Sequence, residues 1–202
     1  MKLYLFILLL AAPLVLKAQL GVLPADISAE DRFYLTMVDE AAGGRTIDFT
    51  QLRLAYAASS LANNYIDVRP AFAGYIDSGD WNGALQLIRD NFYLWFALLD
   101  FADYAVYIYS RLEGPTSSNA AFFNFVGQGL MRSLLSNGTA LSQAEAITVI
   151  NIREGYWVAN QLGIRVHSHR VLENNGQTFD VLTGRNLAGD EIELFFNTSL
   201  FR

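Results

Sequence analysis

The residues whose types and spacing could do chemistry are few. His167 and His169 are the only two histidines of the chain. They lie two apart in Arg165-Val166-His167-Ser168-His169-Arg170, a run that reads as a strand. On a strand of period two their rings project from one face, close enough to share a metal ion. Zinc would need two further ligands, and Asp180, Glu191 and Glu193 on neighbouring strands are the oxygens within reach. Arg165 and Arg170 oppose a cation there, and the plain alternative is a pair of solvent-facing histidines. Asp100 and Asp103, three apart on an aromatic helix, share one side of it. Two carboxylates in apolar surroundings can have their pKa values driven apart, one acid and one base, as in glycoside hydrolysis. The bland alternative is satisfaction by tyrosine hydroxyls or by Arg89 or Arg111. Asp77, Asp80 and Asn82 suggest a calcium loop, but the twelfth position counted from Asp77 is Ile88, where a bidentate Glu is required, so this stretch reads as a turn.

The elements that must position these residues come in two blocks, helical from about 28 to 164 and strand-like from 165 to about 198. Ser28 with Asp31, Asp48 with Gln51, and Ser142 with Glu145 have capping-box spacing, each opening a helical run. Phe49, Leu52, Tyr56 and Ser59 recur at three and four, one stripe of a helix. Ala73 to Ile88 reads as a hairpin of tetratricopeptide type: small Gly74, a turn at Ser78-Gly79-Asp80, then Trp81, Ala84 and Ile88. No second copy follows at that period, so it is one hairpin rather than a solenoid. Phe92 to Tyr109 is apolar nearly all round and predicts one central helix. A helix over 119–135 ends at Ser136-Asn137-Gly138, where Asn and Gly accommodate positive φ. The last helix is predicted from Gln143 to Leu162, with Ile147, Ile150, Tyr156 and Trp157 inward. Arg165–Glu173, Gln177–Leu182 and Glu191–Asn197 then alternate as three antiparallel strands. Helices followed by a small sheet make an α+β domain.

Composition narrows the function classes. Of the 202 residues 52% are apolar and 17% charged, enough for one packed core and too apolar for disorder. The absence of Cys removes disulfides, thiolate metal sites and Cys nucleophiles together. Residues 1–18 read as a secretory signal peptide: Lys2, an uncharged run from Leu3 to Leu16 too short to span a bilayer, and Ala18 before Gln19. An export signal without cystines points to a bacterial periplasm or cell exterior. Both lysines fall within the first 18 residues, so the chain from Gln19 onward carries 12 Arg against 20 acids. That balance disfavours nucleic acid and anionic membrane surfaces as partners. No nucleophile elbow, phosphate loop or dinucleotide fingerprint occurs, and spacing places no Ser or Asp beside the histidines. No cofactor is called for. The leading expectation is a non-enzymatic binding module whose aromatic helices take a protein or peptide partner. The alternative is a periplasmic hydrolytic or metal-assisted enzyme using Asp100 and Asp103, or His167 and His169.

Ser136-Asn137-Gly138, Arg153-Glu154-Gly155-Tyr156, Gly163, Phe179-Asp180-Val181 and Leu194-Phe195-Phe196-Asn197, with Asp48-Phe49-x-x-Leu52-Arg53-x-x-Tyr56 ahead of them, resemble a family of uncharacterised exported bacterial proteins, a domain of unknown function of the DUF4919 type. The resemblance implies a one-domain periplasmic protein and carries over no catalytic residue. It departs at Asn137-Gly138-Thr139, in place of a Gly-Asp-Gly-like turn, and at Glu154-Gly155, in place of paired Glu.

Overall fold

The computed structural model describes residues 27–62 and 68–201; the signal segment read at 1–18 lies outside them. Two helices open on the expected caps. Ser28 Oγ accepts from the Asp31 N–H at 3.0 Å ahead of α1 (Ala29–Ala42), and the Asp48 carboxylate accepts from Thr50 and Gln51 ahead of α2 (Phe49–Ala58). These bonds satisfy N–H groups that a helix start leaves without partners. The predicted stripe of α2 is buried at Leu52, Tyr56 and Ser59, and Arg53 is buried beside it.

The hairpin is α3 (Arg69–Ser78) and α4 (Trp81–Asp90), joined at Gly79, which adopts φ 71°. Asp80 caps α4 by accepting from the Gly83 N–H, so the supposed calcium-loop residue serves the turn. The small residue that lets the helices approach is Gly83, where a Cβ would stand 2.5 Å from the Tyr75 ring; around Gly74 there is only open space.

The aromatic run 92–109 is not one helix. It divides into α5 (Phe92–Trp95) and α6 (Leu99–Glu113), with Leu98 extended between them. Trp95 through Leu99 are all buried. Five consecutive side chains on a continuous helix point all round its axis, and the bend lets each find the interior. Next, α7 (Ser118–Leu135) packs along α6, close enough at Gly127 that a Cβ would meet that of Ala102 at 3.4 Å.

The helix predicted over 143–162 is also divided. A single 3-10 turn at Gln143–Glu145 is followed by β1 (Ile147–Thr148) and then α8 (Ile152–Gln161). Ser142 caps nothing with its side chain. The true cap is Asn151, whose side chain accepts from the Glu154 N–H at 3.2 Å. Ile147, Thr148, Val149 and Ile150 are all β-branched, and this run is drawn to the sheet rather than the helix. Tyr156, expected inside, is exposed.

The sheet gains a strand from that correction. Its order is β1-β4-β3-β2, with β2 (Arg165–Asn174), β3 (Gln177–Arg185) and β4 (Glu191–Asn197) antiparallel as expected and β1 parallel to β4. Asn175 and Gly176 both take positive φ in the two-residue turn joining β2 to β3. Leu182, Leu194 and Phe196 join the helices in one hydrophobic core, while Glu191 and Glu193 face solvent. The fold is α+β, helices first. Among the described residues no helix is long and apolar enough to cross a membrane.

Candidate functional site

Arg53 and Glu154 form a buried ion pair, each only 2–3% exposed. Arg53 Nε donates to Oε1 at 3.0 Å and Nη2 to Oε2 at 2.6 Å, a bidentate pair. Arg53 Nη1 also donates to Ser133 Oγ and Nη2 to the Thr148 carbonyl, and Glu154 also accepts from the Ile150 N–H. All three guanidinium nitrogens and both carboxylate oxygens are engaged inside the protein, so this clamp joins α2, α7, β1 and α8 as a structural tie. The sequence reading gave neither residue this role, although Arg53 falls between Leu52 and Tyr56 on the buried side of α2.

The two histidines do not share a face. A β-bulge between Val166 and Ser168 inserts one residue into β2 opposite β3, and the alternation changes phase there. His169, opposite Leu182, stands on the core side with Nε2 3.0 Å from the fully buried Asp180 carboxylate and its ring edge-on to Tyr156. His167 reaches across the outer side, 3.8 Å from Glu191. Arg170 pairs with Glu193 on that same outer side. Asp180, Glu191 and Glu193 are thus divided between the two faces, and among the described residues no group of three or more His, Asp or Glu could hold a metal ion. Asp180 is a partner that spacing did not supply. A buried carboxylate fixing a histidine ring is one element of acid–base machinery, and the grooves on α6–α7 and beside the β3–β4 loop are lined by other residues.

Asp100 and Asp103 go separate ways. Asp100 forms an ion pair with Arg153 of α8, not with Arg89 or Arg111. Arg111 lies over the rings of Trp81 and Tyr107, 5.7 and 5.5 Å from their centroids. Arg89 stands by Tyr109 and offsets part of the rise that burial gives that hydroxyl's pKa. Asp103 has no ion pair or hydrogen bond with any described residue. It is exposed on its solvent side, yet enough protein surrounds the carboxyl that burial, and then the Asp100 charge, raise its pKa above the ordinary carboxylate value.

That carboxyl stands on the wall of a groove of about 920 Å³ between α6 and α7, closed by Trp157 of α8. Leu99, Val106, Tyr107 and Met131 give it apolar walls, and Gly127 keeps the floor free of a side chain. An apolar cleft with one placed charge is what small-ligand and peptide sites have in common. No family model, curated protein or solved structure matches this chain.

Proposed function

We propose that this chain is an exported, non-enzymatic binding module whose ligand lies in the α6–α7 groove and presents a cationic group to Asp103. The single observation that carries the reading is the unpaired carboxylate in an apolar wall. No described residue gives it a cation: Arg153 is taken by Asp100, and Arg111 rests on Trp81 and Tyr107. A charge left without a partner in partly desolvated surroundings costs stability, and a cation in the guest offsets that cost. The apolar walls suit a guest whose charge is attached to an aliphatic or aromatic body, such as an Arg or Lys side chain of a peptide.

The acidic balance of the chain favours cationic partners at longer range as well, by steering. Catalysis is not part of the reading, since the groove holds one carboxylate and no second acid–base group beside it. The test is a titration of the purified protein with a short peptide carrying one Arg between two Leu, followed by calorimetry and by Trp157 fluorescence. Binding is expected, and Asp103→Asn should weaken it about fivefold, roughly 1 kcal/mol. Equal binding of the matching Glu peptide, or an unchanged affinity in the Asp103→Asn variant, would overturn the reading.

A further inference from the structure

On the outer side of the sheet, away from that groove, the register places Arg165 directly opposite Arg185. Cross-strand neighbours stand about 5 Å apart, and like charges at such positions destabilise a sheet. Neither guanidinium has a hydrogen bond or ion pair with any described residue. The nearby acids turn to other partners. Glu191, which faces Arg185 from β4, has its carboxylate toward His167, and Asp190 accepts from the Asn186 side chain. The bulge in β2 brings His167 to this same side. The three cationic or potentially cationic groups line one wall of an open groove of about 1200 Å³, whose other wall is the β3–β4 loop with Asn186 and Leu187. Leu187, at 89% exposure, is the most exposed large apolar side chain described.

We infer that Arg165 and Arg185, with His167, form a binding site for a tetrahedral oxyanion, a phosphate or sulfate group, whose apolar remainder lies against Leu187. Two guanidinium groups each offer a fork of N–H donors. A tetrahedral anion presents a separate oxygen edge to each. Arg170, on the same strand and the same side, is the internal contrast: it is already paired with Glu193 at 2.9 Å.

The site is tested by titrating inorganic phosphate, sulfate and acetate into the protein, read by amide chemical shifts and calorimetry. Phosphate and sulfate should bind, with shifts centred on residues 163–167 and 185–189, and acetate should bind several-fold more weakly. Arg165→Gln and Arg185→Gln should each weaken phosphate binding about tenfold, the loss of a charged hydrogen-bonding fork. Arg170→Gln should leave it within about twofold, as an exposed, already paired charge. Absence of binding, acetate equal to phosphate, or an Arg170→Gln effect as large as the other two would overturn the assignment. A free phosphate and a phosphate monoester with an apolar group are then separated by whether Leu187→Ser weakens the monoester alone. Loss of both, or of neither, removes the role assigned to Leu187.

Discussion

Arg53 on α2 and Glu154 on α8, 101 positions apart in the chain, hold each other through two parallel hydrogen bonds in the interior. The pair ties the first helices to the connector and the sheet, because Thr148 of β1 and Ser133 of α7 share the guanidinium. Removing one partner leaves a charge stranded in the core, whereas removing both leaves only packing to repair. Arg53→Met and Glu154→Leu are therefore each expected to cost about 3–5 kcal/mol in urea unfolding. The double variant should cost less than the sum of the singles, and additive losses would refute the coupling.

Asp103 connects stability with binding. Its folded pKa lies above its unfolded value. Its contribution to stability is complete below the unfolded pKa and is lost as pH rises through the folded one. Asp103→Asn should therefore be the more stable protein at neutral pH, with the advantage over the natural chain fading toward pH 4. Denaturant midpoints at several pH values check this. A variant less stable at pH 7 than its parent contradicts the account.

The tyrosines set an alkaline limit. Tyr34 donates to the Tyr93 carbonyl and Tyr93 to Asp39, both at 2.9 Å. Burial pushes the Tyr34 hydroxyl well up, and burial with the Asp39 carboxylate pushes that of Tyr93 up to about 12. An unfolded tyrosine ionises near 10. Folded chains keep these protons longer, so stability is full below about pH 10 and falls as pH rises toward 12. Tyr93→Phe should make that fall shallower, with Tyr34 sustaining the remainder, as seen in unfolding curves at pH 8, 9.5 and 11.

Two glycines predict opposite signs. A Cβ on Gly138 would stand 2.5 Å from the Glu145 carbonyl oxygen and 3.0 Å from that of Ala146, both backbone atoms. Gly138→Ala should cost about 1–3 kcal/mol by forcing that loop apart. Gly74 in α3 has open space around it, so Gly74→Ala should stabilise by about 0.5–1 kcal/mol. Thermal melts of the two variants settle the contrast.

What the sequence discloses here is what is decided locally. The Ser28 and Asp48 caps and the turn at Gly79 each depend on residues within a few positions of one another, and each was legible. The capping spacing at Ser142 misled because the β-branched residues after Ile147 found a sheet edge that no local pattern announces. The bulge before Ser168 is equally silent in the alternation, and it alone decides that His167 and His169 part company. Arg53 and Glu154 gave a partial signal, since an Arg between Leu52 and Tyr56 on a buried stripe requires an acid somewhere. Which acid is a property of the fold. Asp103 was visible as a candidate, but that it lacks the cation Asp100 has acquired could be seen only once Arg153 was placed.

Among the described residues the short strand Ile147–Thr148 stands at one border of the sheet and β2 at the other. Such a border can recruit further chains into fibrous stacks. Here the inserted residue at His167 breaks its regular spacing, and Arg165, Arg170 and Glu173 stud it with charge. The irregularity that separates the histidines is thus also one of the devices by which an edge strand resists pairing with a second chain.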